Sequence, residues 1–464
     1  MNFIMVRKFS FFLLIFVILQ FKRVYCSESI TCKQQNIQQE ERYFHRIIKL
    51  RETLYPISKK YKIRGEKILD FNPKLSINTS LVGNIIPILI DKITPIKSDT
   101  NKLSEKRMLN VVLLLPFGVK DGTFKDVVGR CALEYYEGLL IALKHIKEIG
   151  ISVSLKVFDV GLGVELLQNI FDNALIKNTD LVIGGLTGEQ IELISAFSDK
   201  YGVPYVIPFH FNGDSLLFSD NTYQVSIPKL YLYDKISTIF CNEYNDANIV
   251  FYIPNSFGNK IDFIYAIQKK LLTKKITYKV ITDENPSYSD IIALLDNSKK
   301  NIFVLFDDRC HFLSKIISLL KKIKDTNHSL FISLFGYPIW QNYWIEYADY
   351  FFHLNITFYS IFYANPILHE VQSFCDNYKY WYSKKMMDHY PKYGMLGYDT
   401  AMFFIQLLNK YGASLAENLD KFKYSGIQNR FHFEKINDRC GFVNTGFFLI
   451  KFDEDYVISF DFVE

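Results

Sequence analysis

The stretch from Leu109 to Asn212 constrains the fold more than any other part of the chain. It opens with an apolar run, LNVVLLLPF at 109–117, that is too short for an ordinary helix and is bounded by Pro116 and Gly118. A strand covered on both faces has this pattern. A helical pattern follows over 132–149, then an alternating strand over 153–159 and a helix near 165–177. A second apolar run at 180–184 leads into a helix over 188–201 and a strand over 204–207. Strands alternating with helices of about 12–18 residues specify parallel βαβ units, whose binding loops lie at the carboxyl ends of the strands. Here those loops are 116–120, 159–163, 185–188 and 208–212.

The alternation continues to the end of the chain. Strands are predicted over 247–253, 277–281, 301–306, 330–334 and 357–363, and helices over 260–272, 288–297, 312–324, 368–387 and 397–411. Two closing strands, 443–453 and 457–462, flank a turn at 453–455. The expected class is therefore α/β, a doubly wound, largely parallel architecture. At 464 residues the chain is long for one core, and two or three domains are expected.

Charge excludes one class of partner. The formal net charge is +5, but Arg7, Lys8, Lys22 and Arg23 lie in the first 26 residues, which contain no Asp or Glu. Without them the charge is +1, which argues against nucleic acid or a polybasic membrane contact. Those 26 residues have a basic start, an apolar core over 9–21 and a polar end, the pattern of an export signal. Val24 and Cys26 suit the positions before a cleavage at Ser27, with an uncleaved anchor as the alternative. The product is expected in the periplasm or cell envelope.

Other chemistries find no support. The remaining cysteines, Cys32, Cys131, Cys241, Cys310, Cys375 and Cys440, are scattered without metal-ligand spacing, so mostly buried free thiols are expected. Gly184-Gly-Leu-Thr-Gly188 matches neither phosphate-loop pattern, and neither HExxH nor GxSxG occurs. No catalytic residue, metal or cofactor is assigned.

Between an acidic, Gln-rich lead and residue 90 lies a compact unit: a strand over 43–48, a helix over 54–61 capped by Thr53, a short helix over 65–71, and a strand ending near 90. The blocks RETLYPISKKYKI, ILDFNPKL and LVGNIIPI, in that order, resemble a LysM module. The resemblance implies binding of peptidoglycan or a related glycan in a shallow groove, carried over to Glu52, Thr53 and Leu54 facing Asn72, Pro73, Lys74 and Leu75. In the family pattern a Gly usually stands where this chain has Arg51, and 76–81 lengthens the second loop. Residues 91–108 are polar and read as a flexible linker.

The remainder, 109–464, is similar to type I periplasmic binding proteins of the branched-chain amino-acid receptor family. The resemblance rests on VVLLLPF, YYEGLLIAL, DLVIGGLTGEQIELISAFSDKYGVPYVIPF and GMLGYDTAMFFIQLL. A further run, LFGYPIWQNY to GIQNRFHFE, resembles the subgroup in which a LysM module precedes the receptor domain. The resemblance implies two lobes joined by three crossovers, the first holding about 109–233 and 362–440, the second about 234–361 and 441–464. It further implies a ligand held between Phe117, Leu186, Thr187, Gly188, His210 and Asn212 on the first lobe and Asp307 and Tyr337 on the second. Thr187 and the helix start behind it suit a carboxylate, and Asp307, Asp308 and Tyr337 suit a cation. Tyr136, Glu137 and the aromatics of 340–350 are expected to pack.

Two functions compete. One is a peptidoglycan-associated solute-binding protein that captures a small polar ligand, amino-acid-like or a muropeptide, and serves an ABC-type uptake transporter. The other is a non-enzymatic scaffold of the same fold that binds a peptidoglycan-synthesis protein, a reading favoured by the aromatic loop Phe209-His-Phe211.

Overall fold

The computed structural model of the protein describes residues 41–47, 85–92, 108–119, 126–172, 176, 178–209, 220–254, 261–366, 368–435 and 441–464. The signal-like segment 1–26, the two helices expected within 54–71 and all seven glycan-groove residues, Glu52 to Leu54 and Asn72 to Leu75, lie outside them.

In chain order, β1 (Glu41–Ile47) and β2 (Ile85–Lys92) precede β3 (Leu109–Leu115), α1 (Val127–Glu148), β4 (Val153–Asp159), α2 (Glu165–Asp172), β5 (Leu181–Gly184), α3 (Gly188–Tyr201), β6 (Tyr205–Ile207) and β7 (Thr222–Gln224). Next come α4 (Lys229–Glu243), β8 (Asn248–Tyr252), α5 (Ile261–Thr273), β9 (Tyr278–Ile281), α6 (Tyr288–Ile292), β10 (Asn301–Leu305), α7 (Cys310–Thr326), β11 (Ile332–Gly336), α8 (Ala348–His353) and β12 (Thr357–Ser360). The chain closes with α9 (His369–Tyr382), α10 (Tyr393–Tyr411), β13 (Phe433–Lys435), β14 (Phe442–Asn444), β15 (Phe447–Phe452) and β16 (Val457–Val463).

These strands form two sheets, and each sheet is the centre of one lobe. The first has the order β13-β14-β7-β6-β5-β3-β4, the second β2-β1-β16-β15-β12-β11-β10-β8-β9. Every residue of β5, β8, β10 and β11 is buried, which is why these segments read as short, largely apolar runs. In the first lobe, one face of the sheet carries α1, α9 and α10 over a core that includes Val111, Leu139 and Phe404. The other face carries α2 and α3 over Val112, Leu167 and Ile194. One continuous core, from Ile227 to Ile458, fills the second lobe. Each fully buried aliphatic or phenyl side chain contributes about 1.5–3 kcal/mol.

Three crossings join the lobes. The chain leaves β7 through 225–228 into α4, returns after β12, and passes from β14 to β15 through Thr445 and Gly446. The last crossing differs from the single strand predicted over 443–453. Asn444 divides that run: its side-chain amide donates to the Val225 carbonyl at 3.1 Å, and its oxygen accepts from the His432 and Gly446 N–H groups at 3.0 and 3.3 Å. These bonds hold β14 in the first sheet, so the second sheet takes over at Phe447 rather than near 441. Helix α4 packs from Leu232 onward in the second lobe's core. Helix α9 stops at Tyr382, short of the predicted 387, because Ser383 takes a left-handed conformation (φ 54°).

The N-terminal strands belong to the second sheet. β1 pairs antiparallel with β2 and also with β16, matching His45 to Ile458 and Arg46 to Val457. The linker expectation therefore changes at its start, since β2 runs to Lys92. No helix among the described residues is long and apolar enough to cross a membrane.

Candidate functional site

Sheet order locates the crevice. In the first sheet β3 has β4 on one side and β5 on the other; in the second, β8 lies between β9 and β10. Each arrangement is a topological switch point, where adjacent loops diverge and leave a crevice at the carboxyl ends of the strands. The crossings leave β7 and β12 from those same ends, and both strands run parallel to their sheets. The strand-end loops of one lobe therefore lie toward those of the other. The outermost parallel strands, β4 and β9, lie farthest from the crossings and mark the mouth.

On the first lobe two side chains, half-buried Asp159 and fully buried Gln190, brace the loops. The Asp159 carboxylate, at the end of β4, accepts from Gly118 and Val119 N–H at 3.2 and 2.8 Å and from Gly161 N–H at 3.2 Å. Thr187 caps α3, its hydroxyl accepting from the Gln190 N–H at 3.3 Å. The fully buried Gln190 answers with its oxygen to the Leu186 and Thr187 N–H groups at 3.0 and 3.5 Å. Its amide donates to the Gly161 and Gly163 carbonyls at 3.0 and 2.8 Å. Three loops are thereby locked to one another. Gly184 and Gly185, at φ 140° and 76°, make the sharp turn between β5 and α3; a Cβ on Gly184 would lie 2.0 Å from the Leu114 carbonyl oxygen.

What this wall offers is polar at the helix start and aromatic beside it. Thr187 accepts one bond and retains its hydroxyl proton as a donor. Half-buried Phe117 meets Tyr136 edge-on, with ring centroids 5.8 Å apart. Phe209 turns inward: it is buried against Tyr135 at 5.3 Å and Tyr393 at 6.0 Å, so this aromatic fills the lobe's core. His210 and Asn212 lie outside the described residues.

The second lobe departs from the charge pattern expected of it. Asp307 is fully buried and held by Arg309, whose backbone N–H, Nε and Nη2 donate at 2.8, 2.9 and 2.5 Å. Burial raises its pKa, but the hydrogen bonds and charge of Arg309 outweigh that and leave the carboxyl below its usual range. The group presented at the end of β10 is thus the Arg309 guanidinium, more than half exposed and stacked 5.0 Å over Phe312. Tyr337 is fully buried and donates its hydroxyl to the Leu305 carbonyl, bonding β11 to β10. Of the predicted residues, Phe117, Leu186, Thr187 and Gly188 share the first lobe's switch point, and Asp307 stands at the other as a buried partner of Arg309.

Sequence reading missed Asp159, Gln190 and Arg309. The Thr187-x-x-Gln190 spacing before an apolar helix is a capping-box signal and could have revealed Gln190. Tyr136 and Glu137 pack as expected: Glu137 is buried, accepts from the Tyr378 hydroxyl and pairs with Lys384 at 2.8 Å. Trp340 and Trp344 are core residues. Of the described cysteines, all free, Cys241 is buried, Cys131 and Cys310 are half-buried and Cys375 is exposed, a more open set than predicted. No group of His, Cys, Asp and Glu among the described residues is arranged to hold a metal ion.

Two lobes, each a sheet of mostly parallel strands with flanking helices, hinged by three crossings at the strand ends, define a periplasmic-binding-protein-like fold. A solved branched-chain amino acid ABC transporter protein from Rhodospirillum rubrum aligns over 76% of this chain and 98% of its own, with a TM-score of 0.52 and 12% identity. An ABC transporter substrate-binding protein from Desulfitobacterium hafniense in complex with Leu aligns over 77% and 100% (TM-score 0.41, 16% identity). A branched-chain amino acid transporter substrate-binding protein from Streptococcus pneumoniae in complex with isoleucine aligns over 77% and 99% (0.40, 13%). No family model and no curated protein matches the chain.

Proposed function

We propose that the protein is an exported solute-binding protein that captures a small polar ligand between its lobes and delivers it to an ABC-type uptake transporter. The observation that carries this reading is the pair of switch points, one per sheet, both at the hinged ends of their lobes. Such a crevice closes on a ligand by hinge motion. The Rhodospirillum rubrum neighbour supports the fold on which the reading rests. Anion contact belongs to Thr187, Gly188 and the start of α3, apolar contact to Phe117, and polar contact to the loop carrying His210 and Asn212. The Asp307–Arg309 pair alters the other side: a ligand reaching it meets a guanidinium before it meets that carboxylate. Peptidoglycan binding by the N-terminal module, through Glu52–Leu54 and Asn72–Leu75, remains part of the proposal.

The test is a thermal-shift screen of the full chain against amino acids, dicarboxylates, peptides and muropeptides. A ligand at 100 times its Kd raises stability by about 2.7 kcal/mol and raises Tm. Absence of any shift, together with co-purification of a peptidoglycan-synthesis protein, would favour the scaffold instead. Sedimentation with purified sacculi tests the module; full-chain protein left in the supernatant removes that part alone.

A further inference from the structure

The N-terminal hairpin is attached to one lobe by its backbone and to the other by its chain. β1 and β2 extend the second lobe's sheet beyond β16, whereas the residues after β2 lead into β3, the first strand of the other lobe. Hydrogen-bond parity supports this register. Asp453 N–H donates to the Val457 carbonyl at 3.1 Å, so Val457 directs its backbone groups toward β15. Ile458, the next residue, directs its groups the other way, toward β1 and its partner His45. His45 therefore spends its backbone groups on β16, and its opposite neighbour on β2, Pro87, occupies a non-hydrogen-bonded position. The donor that proline lacks would have pointed outward, where an edge strand tolerates the loss. The proline therefore agrees with the β1–β16 pairing, its missing donor facing outward from the outermost strand.

Each partner needs the other. Without β1, Val457 and Ile458 at the start of the largely apolar β16 would lose their outer partners and lengthen its open edge, a liability in any sheet. A two-stranded hairpin alone is marginal in water. We infer that the paired strands β1 and β2 are a fixed part of the second lobe and move with it, so that the chain between Lys92 and Leu109 is a fourth covalent connection between the lobes. Whatever holds the chain between β1 and β2 then holds the second lobe, and the first lobe is the one that swings. This inference goes beyond the solute-binding reading and is independent of what either site binds.

Arg46 and Val457 face each other as a non-hydrogen-bonded pair, with Cα atoms about 4.5 Å apart, within disulfide range. The test uses the full chain with Arg46→Cys and Val457→Cys, oxidised and mapped by peptide mass spectrometry. Its control pairs Arg46→Cys with Ser154→Cys on β4, the outer strand of the first sheet. The 46–457 cross-link should exceed the 46–154 cross-link at least tenfold; comparable or absent cross-linking in folded protein would overturn the inference. Amide exchange on the unsubstituted chain is the second measurement. The Ile458 N–H should exchange as slowly as that of Ile450 inside the sheet, and exchange at the rate of an exposed edge would also overturn it.

Discussion

Substituting Gly397 with Ala tests how closely α1 and α10 approach, and so the packing behind the first lobe's wall. A Cβ at Gly397 would lie 2.0 Å from the Tyr135 carbonyl oxygen and 2.9 Å from its carbon. One turn away, a Cβ on Gly138 would lie 1.7 Å from the Gly394 oxygen. The obstacle in both cases is helix backbone, which cannot rotate aside as a side chain can. Relief requires the helices to part by roughly 1 Å, a gap that forfeits a quarter to a half of each dispersion contact across it. Overpacking of this kind costs about 1–3 kcal/mol, and the upper end applies because α10 has buried side chains along most of its length. Against this stands the helix-propensity gain of Ala over Gly, about 1 kcal/mol. Gly397→Ala should therefore lower stability by about 2 kcal/mol, read as a lower urea midpoint by tryptophan fluorescence with an unchanged slope. A variant as stable as the parent, or more so, would mean that propensity wins and the helices are not in backbone contact.

Other outcomes follow from the same contacts. Gln190→Leu leaves the Leu186 and Thr187 N–H groups and two glycine carbonyls without their partner; it should cost about 2–4 kcal/mol and speed amide exchange at 186–187. Glu434 on β13 ties the lobes near the crossings, accepting from the Tyr231 hydroxyl at 2.9 Å and pairing with Lys235 at 3.5 Å. Burial raises its pKa, but bonds from Tyr231, Thr445 and His432 and the charge of Lys235 push it down to about 2. Because the folded value lies below the unfolded one, its contribution is complete above about pH 4.5 and is lost as pH falls toward 2. Glu434→Gln should flatten acid unfolding in that window, and an unchanged acid profile would contradict the assignment.

How much of this was legible beforehand depends on segment length and on which partner a residue finds. The buried strands β3, β5 and β10 announce themselves as short apolar runs, and α1 and α3 as periodic ones, so the two-lobed α/β plan could be read directly. β7 and β13 are three residues each, too short for periodicity to register. In the run 443–453 the polar Asn444-Thr-Gly446 precedes an apolar stretch, but nothing local says that Asn444 will bond Val225, 219 residues away, and so divide the run between two sheets. At the site, Thr187 was readable because helix capping is local. Asp307 was read as a free acid because no pattern says that Arg309, two residues on, will fold back on it. Tyr337 was misplaced for the opposite reason: after a strand, a tyrosine reads as loop, yet its ring lies within the sheet's core.

The central claim is that two lobes close on a ligand about the three crossings, and an interlobe distance tests it most directly. Leu162 follows β4 and Thr282 follows β9; both are exposed and stand at the mouth, where closure moves them most. Spin labels on p-acetylphenylalanine introduced at these two positions avoid the native cysteines, and pulsed dipolar spectroscopy reads their separation. With a ligand identified by thermal shift, the distribution should move to shorter distances and narrow. An identical distribution with and without that ligand would contradict the account.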